Sequence, residues 1–513
     1  MLGSSIIVGL ISVFNSLISF ANQLVIAKLF GATVLMDAYL IAVSVPLLIA
    51  GAISGVMSYS LVPFFIILKE NDDIYVRITT LTLMIFTFLS LITVAIGFAT
   101  ANIFISTFGK ALPPAVKASA ESIFRISCVS SGFAVLAGHF TAMHNVRKRF
   151  LLPVMSNIFP FLMMICFGLT MGKTFGPISI AWGMLVGYII MVIVLTKTAM
   201  MDVKISKKCF LVWKQVIEYF SHTPLVLLSM LCFTVYQSID AYWAPKIGAS
   251  NLSYLGYCQR LLIAIGNIVI AGPSVVMVPR LAESFHEGRR ADFFHDTGRA
   301  VRMVIAFAAP LAIIVSMLSE PIVRILFQRG AFDAHATCSV AELMPFMMIG
   351  MVAMLCVAMI FRAFFARHEI LFPSILGAAS ILIYFTLSGL CSSLWGVTGI
   401  AFAYAVSWWV LFSVAVYSLW RENPNNLFSK SNLIFIYHII LTATVVSLVV
   451  FLGKIFYFNA FDHGGLFTRL FGLILVACIA IVSFYVVAVR VFKISDIAFV
   501  FEFIFFKVCT FYK

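Results

Sequence analysis

The sequence predicts an all-α polytopic membrane protein of about fourteen transmembrane helices. Three observations predict it. Hydrophobic residues make up 63% of the 513-residue chain and charged residues only 11%, against about 45–50% and about 25% in soluble domains. Mean hydropathy is +1.10. Apolar runs of membrane-spanning length recur along nearly the whole chain. Folding cannot hide that much apolar surface from water, so the solvent must be lipid. A soluble enzyme, a disordered scaffold and a secreted disulfide module are excluded.

The spans lie near 5–27, 35–67, 76–108, 115–144, 150–172, 178–200 and 212–244, and then near 252–283, 297–318, 336–366, 370–392, 396–420, 431–454 and 467–492. About 20 residues cross the hydrocarbon core, so the longer runs must tilt or project beyond it. The first run has no basic leader and continues apolar past any small-residue site, which reads as an uncleaved helix. The tail 495–513 differs. Ser495 and Asp496 can cap a helix, and Phe499, Phe501, Phe503, Phe505 and Phe506 crowd around Glu502 and Lys507, as in a short interfacial helix.

Lys and Arg outnumber Asp and Glu by 34 to 20, a net charge of +14. In a soluble protein this would suggest nucleic acid. Here the cations sit in short gaps between apolar runs, where they set topology, and no nucleic-acid partner is expected. With the N-terminus inside, alternate gaps divide the cations roughly 23 inside to 9 outside. Arg147-Lys148-Arg149, Arg289-Arg290, Arg362 and Arg367 fall inside; Lys28, Lys246, Arg324 and Arg329 fall outside. Both termini are therefore expected in the cytoplasm. The 10 cysteines lie singly, with no C-x-x-C pair, so neither a disulfide framework nor a metal site is expected. Neither H-E-x-x-H nor a phosphate-cradling P-loop occurs, and no gap could hold a catalytic domain. The chain reads as neither an enzyme nor an ATP motor, and as needing no cofactor.

An internal repeat is visible. Phe30-Gly31-Ala32-Thr33 is echoed by Ile247-Gly248-Ala249-Ser250, and Val62-Pro63 by Val278-Pro279, in one register of about 216–217 residues with a single indel. A six-helix unit inserts twice with the same orientation, the parallel repeat of some transporters. Residues 1–205 then form an N-lobe of spans one to six, and residues 206–425 a C-lobe of spans seven to twelve. Spans thirteen and fourteen, in 426–494, fall outside the repeat, and the tail 495–513 follows.

Polar residues at membrane depth are the candidate site. Arg260 lies well into span eight and Arg125 at similar depth in span four. A guanidinium facing lipid costs at least about 2.5–3.5 kcal/mol, so each needs a partner or a wet cavity. Arg125 has Glu121 one turn earlier as a structural partner. Arg260 has none at i±3 or i±4, where Gly256, Tyr257, Ile263 and Ala264 stand. Gln259 and Asn267 flank it. On span one Asn15, Ser19 and Asn22 share a face, lining either a helix interface or a cavity. Asp37 opens span two, and Gln237 and Asp240 lie near the outer end of span seven. His139, His438 and Glu342 read as satisfied interior or gap-facing groups.

Several pieces resemble the MviN/MurJ family, within the superfamily of multidrug, oligosaccharidyl-lipid and polysaccharide exporters. They are Phe30-Gly31-Ala32 with Asp37-Ala38-Tyr39, and Leu326-Phe327-Gln328-Arg329-Gly330-Ala331-Phe332-Asp333, similar to that family's L-F-x-R-G-A-F segment. Arg149-Phe150 with Pro153, Phe365-Ala366-Arg367 with Pro373, and Gly396-Val397-Thr398-Gly399 support them. The resemblance implies two six-helix lobes plus a terminal pair around a central cavity in a bacterial inner membrane. It also implies flipping of lipid II, the undecaprenyl-diphosphate-linked peptidoglycan precursor, with a single chain as the transport unit among membrane lipids. One feature departs. Where that family has a pattern similar to S-R-x-x-G-x-x-R-[DE] on span one, this chain has Asn15-Ser16-Leu17-Ile18-Ser19-Phe20-Ala21-Asn22-Gln23, without either arginine. The basic pair expected on span two falls at about Ala50-Gly51. Of the cavity cations implied by the resemblance, Arg260 alone has a counterpart.

Three functional classes follow. A flippase of a polyprenyl-linked saccharide, lipid II or a sibling, fits best, with Arg260, Asn15, Asn22, Asp37, Gln259 and Arg125 as candidate substrate-binding residues. A cation-coupled drug exporter would want a carboxylate deep in a lobe, and spans eleven and twelve carry no acid. A transport-dead scaffold is the third class, motivated by the missing arginines.

Overall fold

A computed structural model describes residues 2–57, 61, 62, 64, 65, 72–200, 206, 208–221, 223–422, 430–461 and 464–492. The tail expected as an interfacial helix lies outside the described residues, as do positions 58–60, 63, 66 and 67 of the span placed at 35–67. Among the described residues the chain is helical, with no strand. In order it forms α1 (Leu2–Phe30), α2 (Val34–Val56), α3 (Asp72–Phe108), α4 (Pro114–Val146), α5 (Leu151–Ser156), α6 (Ile158–Phe175) and α7 (Ile178–Met200). A single 3-10 turn leads into α8 (Trp213–Phe220), α9 (Thr223–Leu231), α10 (Tyr236–Ile247), α11 (Asn251–His286), α12 (Arg290–Met317) and α13 (Ser319–Phe327). Then come α14 (Ala334–Ala366), α15 (Leu371–Glu422), α16 (Lys430–Ala460) and α17 (Leu466–Tyr485). Eleven helical runs among the described residues are long and apolar enough to cross a membrane.

The helix ends follow local chemistry. Thr33 caps α2, its hydroxyl accepting from Met36 N–H at 3.4 Å. Pro114 occupies the first position of α4, where its missing N–H costs nothing. Inside the spans, hydroxyls of Thr79, Thr82 and Ser90 donate back to carbonyls one turn earlier. These groups therefore need no water in the hydrocarbon.

The helices depart from the expected spans in three places. The span placed at 212–244 is broken into α8, α9 and α10. Pro224 stands in the first turn of α9, where a proline is tolerated because its missing N–H has no helical partner. Between α9 and α10, Thr234 donates both its N–H and its hydroxyl to the Leu231 carbonyl, at 3.0 and 3.3 Å, closing a tight turn. The span at 150–172 is divided at Asn157, between Pro153 and Pro160, into α5 and α6. Conversely, the spans at 370–392 and 396–420 run together as α15, 52 residues long, with only Gly396 leaving helical geometry at φ 61° and ψ −139°.

Backbone geometry repeats along the chain. Lys148 and His368, both non-glycine, have φ of 58° and 59°. In the first turn, Arg147 and Arg149 N–H groups donate to the His144 carbonyl at 3.1 and 3.0 Å. In the second, Arg367 and Glu369 donate to Phe364 at the same two distances. Gly176 and Gly396 form a second pair, with φ of 66° and 61°. Both pairs are separated by 220 residues, so the register lengthens by a few residues beyond the 216–217 read from the sequence.

The chain divides into two compact units. The first comprises Met1–Gly256, Arg329–Asp333 and Gly377–Phe385; the second comprises Tyr257–Gln328, Ala334–Leu376 and Thr386–Lys513. The core of the first gathers Ile53, Met57, Phe65, Phe86, Val135, Phe140 and Leu195. Close approach there depends on small residues: a Cβ on Gly187 of α7 would lie 2.4 Å from the Pro160 Cα of α6. In the second unit α16 and α17 share a core with α12, through Ala306, Ile314, Val446, Val450 and Ala480. The terminal helix pair, which falls outside the repeat, is thus built into this unit.

Candidate functional site

In the first unit, the polar face of α1 packs against α5 and α6. The Asn15 amide donates to the Val154 carbonyl at 2.5 Å. Asn22 is fully buried, with its Nδ2 3.8 Å from the Met164 sulfur. Of the interface and the cavity that span one offered, the structure takes the interface for Asn22. The amide oxygens of Asn15, Asn22 and Gln23 are buried without a hydrogen-bond partner, a desolvation cost of roughly 1–3 kcal/mol for each such group.

Asp37 sits in the first turn of α2, 1% exposed. One carboxylate oxygen, Oδ1, accepts both the Ser253 N–H at 2.8 Å and the Ser253 hydroxyl at 2.5 Å. Ser253 is the third residue of α11, where backbone N–H groups have no intrahelical partner. The carboxylate fills that vacancy and stands at the positive end of the helix dipole. Arg125 on α4 pairs with Glu121 one turn earlier, N to O 3.7 Å, both groups partly exposed.

Arg260 and Gln259 lie on α11 in the second unit, both half-buried. The Arg260 guanidinium stands 6.0 Å from the centroid of the Tyr257 ring, at the outer range of a cation–π contact. Tyr257 is itself buried, its ring 5.2 Å from Phe327. The structure thus brings Asn15 and Asn22 together on one interface, joins Asp37 to the start of α11, and gives Arg125 its same-helix acid.

Other groups were not legible as a site. Asp240 on α10, 1% exposed, accepts the hydroxyl of Tyr384, and the Tyr236 ring stacks on Tyr384 at 4.2 Å. The sequence placed Asp240 near a helix end and gave no signal for Tyr384. Arg362, expected in a cytoplasmic gap, lies inside α14 and donates to Ser274, which follows Pro273 on α11. His139 is fully buried among Phe65, Phe86 and Phe140, with ring centroids 5.8–6.1 Å apart. Neither of its ring nitrogens has a hydrogen-bond partner, so it is interior but not satisfied. His438 stacks on Phe492 at 4.4 Å.

Comparison with known proteins places these features in context. A family model described as "Lipid II flippase MurJ" matches residues 26–472. A protein of Buchnera aphidicola subsp. Schizaphis graminum, described as "Probable lipid II flippase MurJ", is 21% identical over 96% of this chain and 98% of its own length. A "Lipid II flippase MurJ" of Burkholderia cenocepacia is 23% identical over 69% of this chain and 71% of its own. Among solved structures, "Lipid II flippase MurJ, inward closed conformation" superimposes with a TM-score of 0.78 at 19% identity, covering 94% of this chain and 99% of that one. An inward-facing multidrug resistance MATE family transporter of the MOP superfamily reaches 0.62 at 12% identity, covering 81% and 98%. The fold is therefore the one these transporters share. With the family model matched along most of the chain, this multi-pass membrane protein belongs to the MurJ lipid II flippase family.

Proposed function

We propose that this chain flips a polyprenyl-diphosphate-linked glycolipid, lipid II or a related saccharide lipid, across the bacterial cytoplasmic membrane by alternating access. The observation that carries the reading is the family match over residues 26–472, on a chain whose candidate spans carry few charges. The protein is a transporter and catalyses no covalent step. Its transport unit is one chain among membrane lipids, with both termini cytoplasmic.

Fourteen crossings fit the helices described above. Beyond the eleven candidate runs, Gly396 divides one of them into two, α1 supplies another, and the broken α9–α10 supplies the last. The repeated turns at Lys148 and His368 and at Gly176 and Gly396 support the lobes 1–205 and 206–425, with 426–494 as a terminal pair. Arg260 is the cation that meets the diphosphate, since a guanidinium holds two phosphate oxygens through a planar fork. Gln259 stands beside Arg260 on α11, and in the first unit Asn15, Asp37 and Arg125 are the further candidates for contact with the substrate, whereas Asn22 faces α6. Ser16 and Asn22, both uncharged, stand where the family resemblance leads one to expect arginines, which shifts recognition from charge toward hydrogen bonding.

The test is a leaflet-resolved assay in cells depleted of their own flippase. Expression of this chain should make lipid II accessible at the outer leaflet and restore growth. Accessibility at the empty-vector level, with the protein folded in the membrane, would refute lipid II as cargo.

A further inference from the structure

Between α7 and α9 the chain lies down on the first unit. The 3-10 turn Cys209–Val212 runs directly into α8, and both rest on α3. Cys209, Val212 and Val216 are buried in that unit's core. The Phe220 ring meets Phe64 and Phe86 edge-on, with centroids 6.1 and 6.4 Å away. Ahead of the turn, the Ser206 N–H donates to the Thr80 hydroxyl at 3.2 Å, and the Cys209 sulfur stands 3.7 Å from that of Met84.

These contacts fix a depth. Arg77 is the last charged residue of α3, and residues 78–108 carry no charge. Thr80 and Met84 follow Arg77 by three and seven residues, which places them about 4.5 and 10 Å further along the apolar run. Met84, Phe88 and Leu91 of that run are exposed, as side chains facing lipid are. A segment seated there stands at the boundary between headgroups and acyl chains, where a soluble partner does not reach.

The outward side of the segment suits that boundary. Phe210 and Leu211 are 65% and 71% exposed, and Trp213 and Ile217, one turn apart on α8, are 44% and 52% exposed. Lys208 and Lys214, both exposed, flank them in sequence. Over residues 202–218 the chain carries Lys204, Lys207, Lys208 and Lys214 against Asp202 and Glu218. Aromatic and aliphatic side chains on one side, with lysines beside them, are what an interfacial segment uses to hold an anionic leaflet.

We propose that residues 208–217 are a binding surface for anionic phospholipids of the inner leaflet. Phe210, Leu211, Trp213 and Ile217 enter the acyl boundary, and Lys208 and Lys214 meet the lipid phosphates. The inner side comes from the topology proposed above. The surface itself does not rest on the flippase reading, because the lipids it holds are not cargo.

The test uses the full chain with its native cysteines, reconstituted in phosphatidylcholine vesicles. A minor fraction of the lipid is brominated high on the acyl chain, either as phosphatidylglycerol or as phosphatidylcholine. The emission of Trp213 is taken as the difference between the parent and Trp213→Phe. Brominated lipid should quench this difference and aqueous iodide should not. Quenching by iodide alone would overturn the proposal in favour of an aqueous face such as a protein partner uses. Protection from both quenchers would overturn it too, since Trp213 would then be packed within the protein. Brominated phosphatidylglycerol should quench several-fold more than brominated phosphatidylcholine, and Lys208→Gln with Lys214→Gln should remove the difference. Equal quenching in the parent, or a preference unchanged in the double variant, would defeat the role given to the lysines. Should the double variant fail to fold, high salt applied to the parent decides, because screening must weaken the preference if charge creates it.

Discussion

At the scale of single residues, the flippase reading leans most on Arg260. Losing a buried charge-assisted hydrogen bond to a diphosphate costs about 1.5–3 kcal/mol, roughly ten- to a hundredfold in affinity. Arg260→Gln should therefore lose most flipping while keeping normal membrane insertion, and Arg260→Lys, a point charge, should keep only part. Leaflet-resolved lipid accessibility beside a thermal melt of purified protein separates this from a structural role, which would lower the melting midpoint instead. Asp37 carries the opposite expectation. Asp37→Ala leaves the Ser253 N–H without its acceptor in a buried place, while the hydroxyl keeps the Thr33 carbonyl at 3.4 Å, and should cost about 1–3 kcal/mol. Asp37→Asn keeps an acceptor and should cost less, so the midpoints should fall in the order wild type, Asn, Ala. The sequence showed Arg260, Asp37 and Arg125 because charge in an apolar run is conspicuous. It could not show that Asn22 faces α6, since a polar face marks a buried surface without naming its neighbour. Nor could it show Tyr384, because tyrosine in a span signals nothing until an acid such as Asp240 stands opposite.

At the scale of elements, span positions were legible while their continuity was not. Hydropathy sums over about 18–20 residues and passes across a single break, so the division at Asn157 and the turn at Thr234 leave no trace in it. The breaks follow local rules: a proline withdraws an N–H from the helical ladder, and a glycine at positive φ interrupts one. These rules separate two glycines of the first unit. Gly176 has φ 66° and ψ −153°, with nothing within 4 Å of where a Cβ would stand. Gly176→Ala should thus cost only the backbone conformation, about 1–3 kcal/mol. Gly187 is helical, and its Cβ would strike the Pro160 backbone at 2.4 Å, so Gly187→Ala must push α6 and α7 apart along their shared face. Thermal melts should rank Gly187→Ala below Gly176→Ala. The reverse order would mean that backbone strain outweighs the close helix approach.

At the scale of the molecule, topology rests on charge. Cytoplasmic gaps collect Lys and Arg because translocating them is unfavourable, and an added or missing crossing would invert every later gap. The bias therefore tests the count as well as the orientation. The count hangs on three features that length and hydropathy alone do not settle: α1, the broken α9–α10, and the kink at Gly396. Each makes a distinct error. If α9–α10 re-entered without crossing, the 284–296 connection would face outside and the 320–334 connection inside. If α15 crossed only once, those two would keep their sides and only the segments beyond it would invert, placing the C-terminus outside. Reporter fusions in the 145–150, 284–296 and 320–334 connections and at the C-terminus distinguish the cases. Fourteen crossings require inside, inside, outside and inside, in that order. The turns at Lys148 and His368 favour that pattern, because two turns of the same hydrogen-bond geometry and matching φ, 220 residues apart, are what a six-helix unit inserted twice with one orientation produces. A periplasmic C-terminus with the other three fusions as expected would locate the miscount after residue 334, in α15 or the terminal pair.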